Sequence, residues 1–459
     1  MSDELAASEP AGFAVDSRSV KAGEVFVALQ GERTDGHKYV RQVFENGALA
    51  AVVAHRRLEN LSSYGDYQNR LLFVESPAFS LELLASRILA RWGGGIVGIT
   101  ASAGKTTIKD LVGAVLERSG RVIKSLGNFN TTVGLPLTIT RMISGGSKPE
   151  DFDLAVLEMG MSSFGEISRL VDIAPPDIGV VGNVGLAHIE FFGSEDAIAR
   201  AKSELVQGIK AGGIAILNAD DGRVIAMRKI RPDTRVITFG FAEGSDVTAS
   251  EVRQAADLGG TDFVLRAGKE QALVTIQLAG MHNVQNALAA AAVGIGVGQK
   301  VEEIAQALSQ APPPKMRGVV VRLSNGVTVL DDTYNSNPVA LIEAARALVS
   351  AKGFKRRIVV AGEMLELGEK STELHRDCGQ AIAKAGVEIV IGVQGEAKQL
   401  ASSATEAGAQ GFFFETPEEA AERVAELVKA GDAVLIKGSR GVRTEKVVEN
   451  LKSRFGRDE

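Results

Sequence analysis

The sequence predicts an α/β protein built in three domains, and three observations predict it. Short β-branched runs alternate with helical patterns along most of the chain. Two breaks, Gly93-Gly94-Gly95 and Pro312-Pro313-Pro314, divide it into three segments. Polar, glycine-containing islands recur where the strands end. Such alternation gives a largely parallel sheet covered by helices on both faces. Three successive prolines resist helix and sheet alike. The expected domains are therefore 1–92, 93–315 and 316–459.

Size and composition fit this reading. At 459 residues the chain is too long for a single core. Hydrophobic content of 45% and charged content of 24% are those of an ordinary globular protein. The net charge is −6, and no block of like charge suggests a nucleic-acid or membrane surface. Cys378 is the one cysteine, so no intrachain disulfide forms. Met1-Ser2-Asp3-Glu4-Leu5 is acidic and lacks a signal-peptide core, and no apolar run reaches a membrane-spanning length of about 18 residues. A cytoplasmic location without membrane insertion is expected.

In the first segment, strands are expected at 25–29, 50–54 and 71–74, with helices at 38–46 and 80–91. The second segment should carry strands at 97–100, 122–124, 154–158, 178–182, 214–218 and 235–238, then a meander over 247–277 and an Ala-rich helix over 280–297. In the third, strands are expected at 318–323, 327–331, 357–361, 389–392, 411–414 and 433–437. Helices there fit 338–351, 372–385, 417–429 and 443–452.

The strongest motif is Gly98-Ile99-Thr100-Ala101-Ser102-Ala103-Gly104-Lys105-Thr106-Thr107, a strand, a glycine turn and a helix start. Backbone N–H groups in such a loop, and the helix N-terminus behind it, attract polyphosphate. Lys105 can reach the outer phosphates and the Thr106 hydroxyl can ligate Mg²⁺. Gly98 lies one residue too far back for the common spacing. Glu158 emerges at a strand end, where a carboxylate can hold a hard cation. His188 follows another strand, with a hydrogen-bonded core histidine as the plainer reading. Lys202 lies in a helix over 194–210, where a solvated face is the plainer reading. Asn283 and Asn286 are three apart and share a helix face. Further islands are Gly127 to Gly134, Asp331 to Pro338 and Lys437 to Gly441. Asp16-Ser17-Arg18 and the cluster over 31–37 suit phosphate or ribose hydroxyls, although a surface pair or a cap is the commoner use. The islands argue for a composite site between domains.

Taken in order, these motifs resemble the Mur ligases, ATP-dependent amide-forming enzymes of peptidoglycan precursor synthesis. The resemblance runs from about Asp16 to Val448. Its marks are Asp16-Ser17-Arg18, Asp35-Gly36-His37, Gly104-Lys105-Thr106-Thr107, Gly127-Asn128-Phe129-Asn130, Glu158-Met159-Gly160, Asn183-Val184-Gly185, Ala187-His188 and Ala201-Lys202-Ser203-Glu204, then His282-Asn283. Met316-Arg317-Gly318, Asp332-Thr333-Tyr334-Asn335-Ser336-Asn337-Pro338, Met364-Leu365-Glu366-Leu367-Gly368 and Lys437-Gly438-Ser439-Arg440 point to the member that adds a dipeptide. The Asp-Asn-Pro-Arg and Lys-Gly-His-Glu of the relatives adding a diamino acid are absent. Three departures stand out. Ala101-Ser102-Ala103-Gly104 replaces Gly-Ser-Ser-Gly, Gly182 replaces a common Thr, and Thr131-Thr132 replaces Asn-Glu.

The resemblance implies a central P-loop domain with a doubly wound, mostly parallel sheet, a C-terminal Rossmann-like domain that takes the dipeptide, and a smaller N-terminal domain that holds the UDP part of the substrate. ATP would meet Ala101, Ser102, Ala103, Gly104, Lys105, Thr106, Thr107, Asn283, Asn286, Arg317 and Asp332. Mg²⁺, two ions in this family, would meet Thr106, Glu158, His188 and Lys202, the last as a carbamate. Lys105, His188 and Lys202 would be catalytic. Ser17 and Arg18 would contact UDP, and Asn128, Asn130, Thr131 and Thr132 the muramoyl-peptide. Asn335, Asn337, Ser439 and Arg440 would face the dipeptide. The implied substrates are UDP-N-acetylmuramoyl-tripeptide and D-alanyl-D-alanine, joined by a monomer through an acyl phosphate, with a hinge near 312–317. Another Mur-type or folylpolyglutamate synthase-like ligase adding one amino acid is an alternative. A P-loop switch is a more distant one, and it lacks the guanine-reading Asn-Lys-x-Asp.

Overall fold

The computed structural model describes residues 8–31, 34–58 and 61–457. Glu32 and Arg33 of the polar cluster, and the acidic start at Met1–Leu5, lie outside the described residues. The fold is mixed α/β with three sheets. In the first, β1 (Gly12–Ala14), β2 (Glu24–Val27), β3 (Ala50–Ala54) and β4 (Leu71–Val74) run parallel in that order. Phe26, Val40, Val43, Phe44, Ala51 and Val53 form their core. β1 was not expected, since three residues are too few to show a period. The helix expected at 80–91 starts earlier, at Pro77, because Ser76 caps it by accepting from Phe79 N.

The second sheet holds nine strands: β5 (Gly95–Thr100), β6 (Val122–Lys124), β7 (Leu154–Glu158), β8 (Ile178–Val181), β9 (Ile214–Asn218), β10 (Arg235–Phe239), β11 (Val247–Gln254), β12 (Thr261–Ala267) and β13 (Glu270–Ile276). Their order is β13-β12-β11-β10-β9-β8-β5-β7-β6. The meander β11–β13 is antiparallel. β5, β7, β8 and β9 are continuous apolar runs with buried residues throughout their centres, as strands covered on both faces must be. Strand order reverses at β5, the position where open α/β sheets bind ligands. The Ala-rich pattern forms the helix Met281–Gly296, buried through 287–292.

The third sheet contains β14 (Val319–Arg322), β15 (Thr328–Asp332), β16 (Arg356–Gly362), β17 (Ile389–Val393), β18 (Gln410–Phe414) and β19 (Asp432–Lys437). Its order is β14-β15-β19-β16-β17-β18, parallel except for β14. β19, last in sequence, lies between β15 and β16, which places Lys437 opposite Asp332 in register. A helix at Ala397–Glu406 was not foreseen. Its buried face is Ala397, Leu400, Ala401, Ser403 and Ala404, too small and polar to give a visible apolar stripe.

The chain gathers into two compact units. One comprises the chain up to Gly98, then Ser119–Gly179 and Gly208–Gly213; the other comprises Ile99–Arg118, Val180–Gln207 and everything from Ile214. Among the described residues no helix is long and apolar enough to cross a membrane.

Candidate active site

β5 ends in the loop over 101–104, which leads into the helix Lys105–Leu116. Gly104 stands before the first helical residue at φ +83°, a left-handed conformation that glycine adopts without strain. A Cβ there would lie 2.5 Å from Asn286 Oδ1. Lys105 Nζ donates to the loop's own Ala101 carbonyl at 2.5 Å. A second loop, after β8, holds the first in place. Asn183 Oδ1 accepts from Ala103 N and its Nδ2 donates to Ala103 O, both at 2.9 Å. Gly185 N donates to Ser102 Oγ at 2.9 Å. Asn183, which its motif alone gives no role, is the clamp of the phosphate loop.

Two of the departures from the family pattern occupy one space. A Cβ at Gly182 would lie 2.8 Å from Ala101 Cβ and 2.9 Å from Ile108 Cδ1. The methyl gained at 101 and the side chain lost at 182 therefore offset each other, and the loop keeps its course.

The helix Met281–Gly296 presents Asn283 and Asn286 together, as their spacing predicted. Asn286 Nδ2 donates to Asn283 Oδ1 at 3.2 Å, and Asn283 Nδ2 donates to Ala279 O at 2.8 Å. Both line a cavity of about 470 Å³ whose walls also include Ser102, Ala103, Gly104, Thr107, Asn183, Arg317, Asp332 and Asn337. Its apolar wall is Phe241, Val339, Ala344 and Ala347. Arg317 Nη2 donates to Thr106 Oγ1 at 3.0 Å, and its guanidinium lies 4.0 Å from the centre of the Tyr334 ring.

Two cavity residues were missed as site residues. Lys437 donates to Asp332 Oδ2 at 2.6 Å and to the Asn335 carbonyl at 2.8 Å. His282 lines the cavity, its Nδ1 buried without a hydrogen-bond partner, and burial holds its imidazole below the ordinary histidine value. Both lay in motifs already noted, His282-Asn283 and Lys437-Gly438, so the available signal was position at an element end.

Lys202 is 1% exposed, which removes the solvated-face reading. The helix Glu195–Gln207 buries Ile198, Ala201, Lys202, Leu205 and Val206 along one side, a three-and-four spacing that includes the lysine. Burial, and then the Lys105 charge, push its amine well below the ordinary lysine value. Among the described residues no carboxylate pairs with it. His188 has φ +65°, and its Nδ1 lies 2.5 Å from Glu366 Oε2.

The dipeptide candidates are engaged locally. Asn337 caps the helix Pro338–Ser350 by accepting from Ala340 N at 2.9 Å. Asn335 Oδ1 accepts from Ser336 N, and Ser439 Oγ accepts from Leu365 N at 3.0 Å. Arg440 pairs with Glu445 at 2.9 Å. Only Asn337 of these four lines the cavity.

In the first unit, Arg18 meets Asp16 through two bonds, and the pair holds the Asp16 carboxyl down to about 2. Ser17 between them is buried. Asp35 and His37 serve the backbone: Nδ1 contacts Asp35 Oδ1 at 2.6 Å, and Nε2 accepts from Ala54 N. Asn130 Nδ2 donates to Glu158 Oε1 at 2.9 Å, so two residues expected in different roles form one pair. Thr131 Oγ1 accepts from Gly134 N, Asn128 is exposed and Thr132 is half-buried. Among the described residues no group of three His, Cys, Asp or Glu could hold a metal ion.

Models of the Mur ligase family match residues 11–82 (its catalytic domain), 99–294 (its middle domain) and 316–440 (its glutamate ligase domain). The UDP-N-acetylmuramoyl-tripeptide–D-alanyl-D-alanine ligase of Bacillus subtilis is 33% identical over 446 residues, 96% of this chain and 93% of that protein. A crystal structure of MurF from Acinetobacter baumannii aligns with a TM-score of 0.83 at 31% identity, over 96% of this chain and 93% of that one. MurF from Thermotoga maritima, solved in complex with ADP, aligns with a TM-score of 0.81 at 32% identity, over 99% of each chain. The chain belongs to the Mur ligase family.

Proposed function

We propose that this protein is an ATP-dependent ligase that adds D-alanyl-D-alanine to UDP-N-acetylmuramoyl-tripeptide, working as a cytoplasmic monomer in cell-wall synthesis. One observation carries the reading: the phosphate loop, Asn283, Asn286, Arg317 and Asp332 converge on one cavity. ATP fits it by chemistry. The loop N–H groups and Lys105 suit the phosphates, and the apolar wall with the two asparagines suits a base. Domains 1–92, 93–315 and 316–459 would hold the UDP substrate, ATP and the dipeptide, with a hinge at 312–317.

A carboxylate is a poor acyl donor because oxide would have to leave. Its oxygen attacks the γ-phosphorus, the bond to ADP breaks, and an acyl phosphate results. The dipeptide's free amine then attacks the acyl carbon; phosphate leaves with the former carboxylate oxygen, and the nitrogen sheds its proton as the amide forms. Lys105 offsets the repulsion between two anionic reactants. Arg317, on Thr106, is placed to add a second cation. Closure over the acyl phosphate would keep water out.

Magnesium, when bound, would neutralise phosphate charge, and we assign it Thr106, Glu158, His188 and Lys202. An amine that is cationic at neutral pH is no ligand. Burial and the Lys105 charge disfavour the protonated amine of Lys202, and an amine that has lost its proton adds CO₂ to give an anionic carbamate with release of a proton. The site chemistry fits the metal in that modified form. For the substrates we assign Ser17, Arg18, Asn128, Asn130, Thr131 and Thr132 to the nucleotide-linked peptide, and Asn335, Asn337, Ser439 and Arg440 to the dipeptide.

The test is ATP-dependent phosphate release with each component omitted in turn. The reading expects release only when muramoyl-tripeptide and D-Ala-D-Ala are both present. Release with ATP alone favours a switch; release with a free diamino acid favours a single-residue ligase.

A further inference from the structure

Glu366 lies outside every role so far assigned, yet it stands against His188. It sits in the loop after β16, at φ +63°, a left-handed conformation that costs a non-glycine residue about 1 kcal/mol or more. Its neighbours enforce that shape. Met364 N donates to Nε2 of the fully buried His375 at 2.9 Å, and Leu365 N donates to Ser439 Oγ at 3.0 Å. Glu190 N, two residues beyond His188, donates to the Glu366 carbonyl at 3.4 Å. His188 faces it with φ +65°. Two left-handed, non-glycine residues thus meet side chain to side chain at 2.5 Å, each held by its own loop. The carboxylate also lies in the field of Lys105.

We infer that Glu366 is a positioning residue for His188: its carboxylate occupies Nδ1, fixes the ring, and leaves Nε2 as the nitrogen available to a metal–nucleotide complex. Carboxylates behind ligating histidines fix tautomer and orientation in this way, and their loss costs about 10–100-fold in metal affinity. The inference rests on the proposed metal role of His188. It adds that the orienting group comes from the third sheet's loop, so the ring is set only when that loop is docked. Ser439 and His375 then act one step further back, by fastening the loop.

Glu366→Gly is the decisive variant, because glycine accepts φ +63° and removes the carboxylate without strain. We expect its melting temperature to equal or exceed that of the parent, while Mn²⁺ affinity in the presence of ADP, read by electron paramagnetic resonance, falls about 10-fold or more. Glu366→Gln, which still offers an oxygen to Nδ1, should recover most of that affinity. In ¹⁵N-histidine spectra the parent should show His188 with its proton on Nδ1, and Glu366→Gly should lose that preference. Unchanged Mn²⁺ affinity in Glu366→Gly overturns the positioning role while leaving the metal reading intact. Failure of the parent to bind Mn²⁺ with ADP overturns both.

Discussion

Asp16–Arg18 in the first unit and Asp332–Lys437 in the second are the same kind of contact in opposite surroundings. Arg18 is 85% exposed and Lys437 only 5%. Arg18 can release Asp16 and turn to a ligand at little cost, because water replaces the lost partner. Lys437 has no such freedom: it bridges Asp332 and the Asn335 carbonyl where water is scarce. An exposed pair of this kind suits a residue that must capture something from solvent. A buried one fixes the shape of a cavity wall.

The sharpest way to break this contrast is Lys437→Met, which leaves the largely buried Asp332 carboxylate without its cation. It should lower unfolding stability by about 3–5 kcal/mol in a denaturant titration. Adding Asp332→Asn should recover part of that loss, because the uncompensated charge is gone. A smaller loss is expected from Gly182→Thr, whose Cβ would press on Ala101 and Ile108. That overpacking should cost about 1–3 kcal/mol, and Ala101→Gly in the same chain should restore stability and ADP binding together.

Lys202 sharpens the comparison as a buried amine that, among the described residues, pairs with no carboxylate. Its folded value lies below the ordinary 10.5, so the unfolded chain binds the proton that the folded chain resists. Stability in CO₂-free buffer should therefore rise as pH rises toward 10.5 and fall as pH drops. Lys202→Met should flatten that slope and add about 1 kcal/mol near neutral pH, while ligation is lost. The smallest effect is expected from Arg18→Ala: a slight fall in melting temperature at neutral pH that vanishes in strong acid, with the Asp16 carboxyl rising in NMR titration from about 2 toward 3.8. The depressed Asp16 favours the folded state above the ordinary value, and that contribution disappears as pH falls through about 2.

What the sequence made legible follows from contiguity. The phosphate loop is a single stretch of chain, so its strand, turn and helix could be read together; the Asn283–Asn286 face followed from helical spacing. β7 and β9 kept their expected bounds because apolar runs between polar residues have sharp ends. Contacts made across the fold were not legible. Lys437 meets Asp332 only because β19 inserts between β15 and β16, and no local pattern announces strand order. Glu366 meets His188 through a docked loop, and Asn130, in the loop after β6, reaches Glu158 at the end of the neighbouring β7, 28 residues further along the chain. For Lys202 local pattern pointed to a solvated face and only the family resemblance pointed inward, since a lysine on an apolar stripe reads as solvent-facing until burial is known.

The central claim is that the acid is activated by phosphoryl transfer before the amine attacks, and isotope transfer tests it most directly. Muramoyl-tripeptide with both oxygens of the reacting carboxylate labelled with ¹⁸O should be ligated to D-Ala-D-Ala with ATP, and the phosphate analysed by mass spectrometry. The account predicts one ¹⁸O in each phosphate released and one retained in the new amide. Phosphate free of label, with product formed, would contradict it.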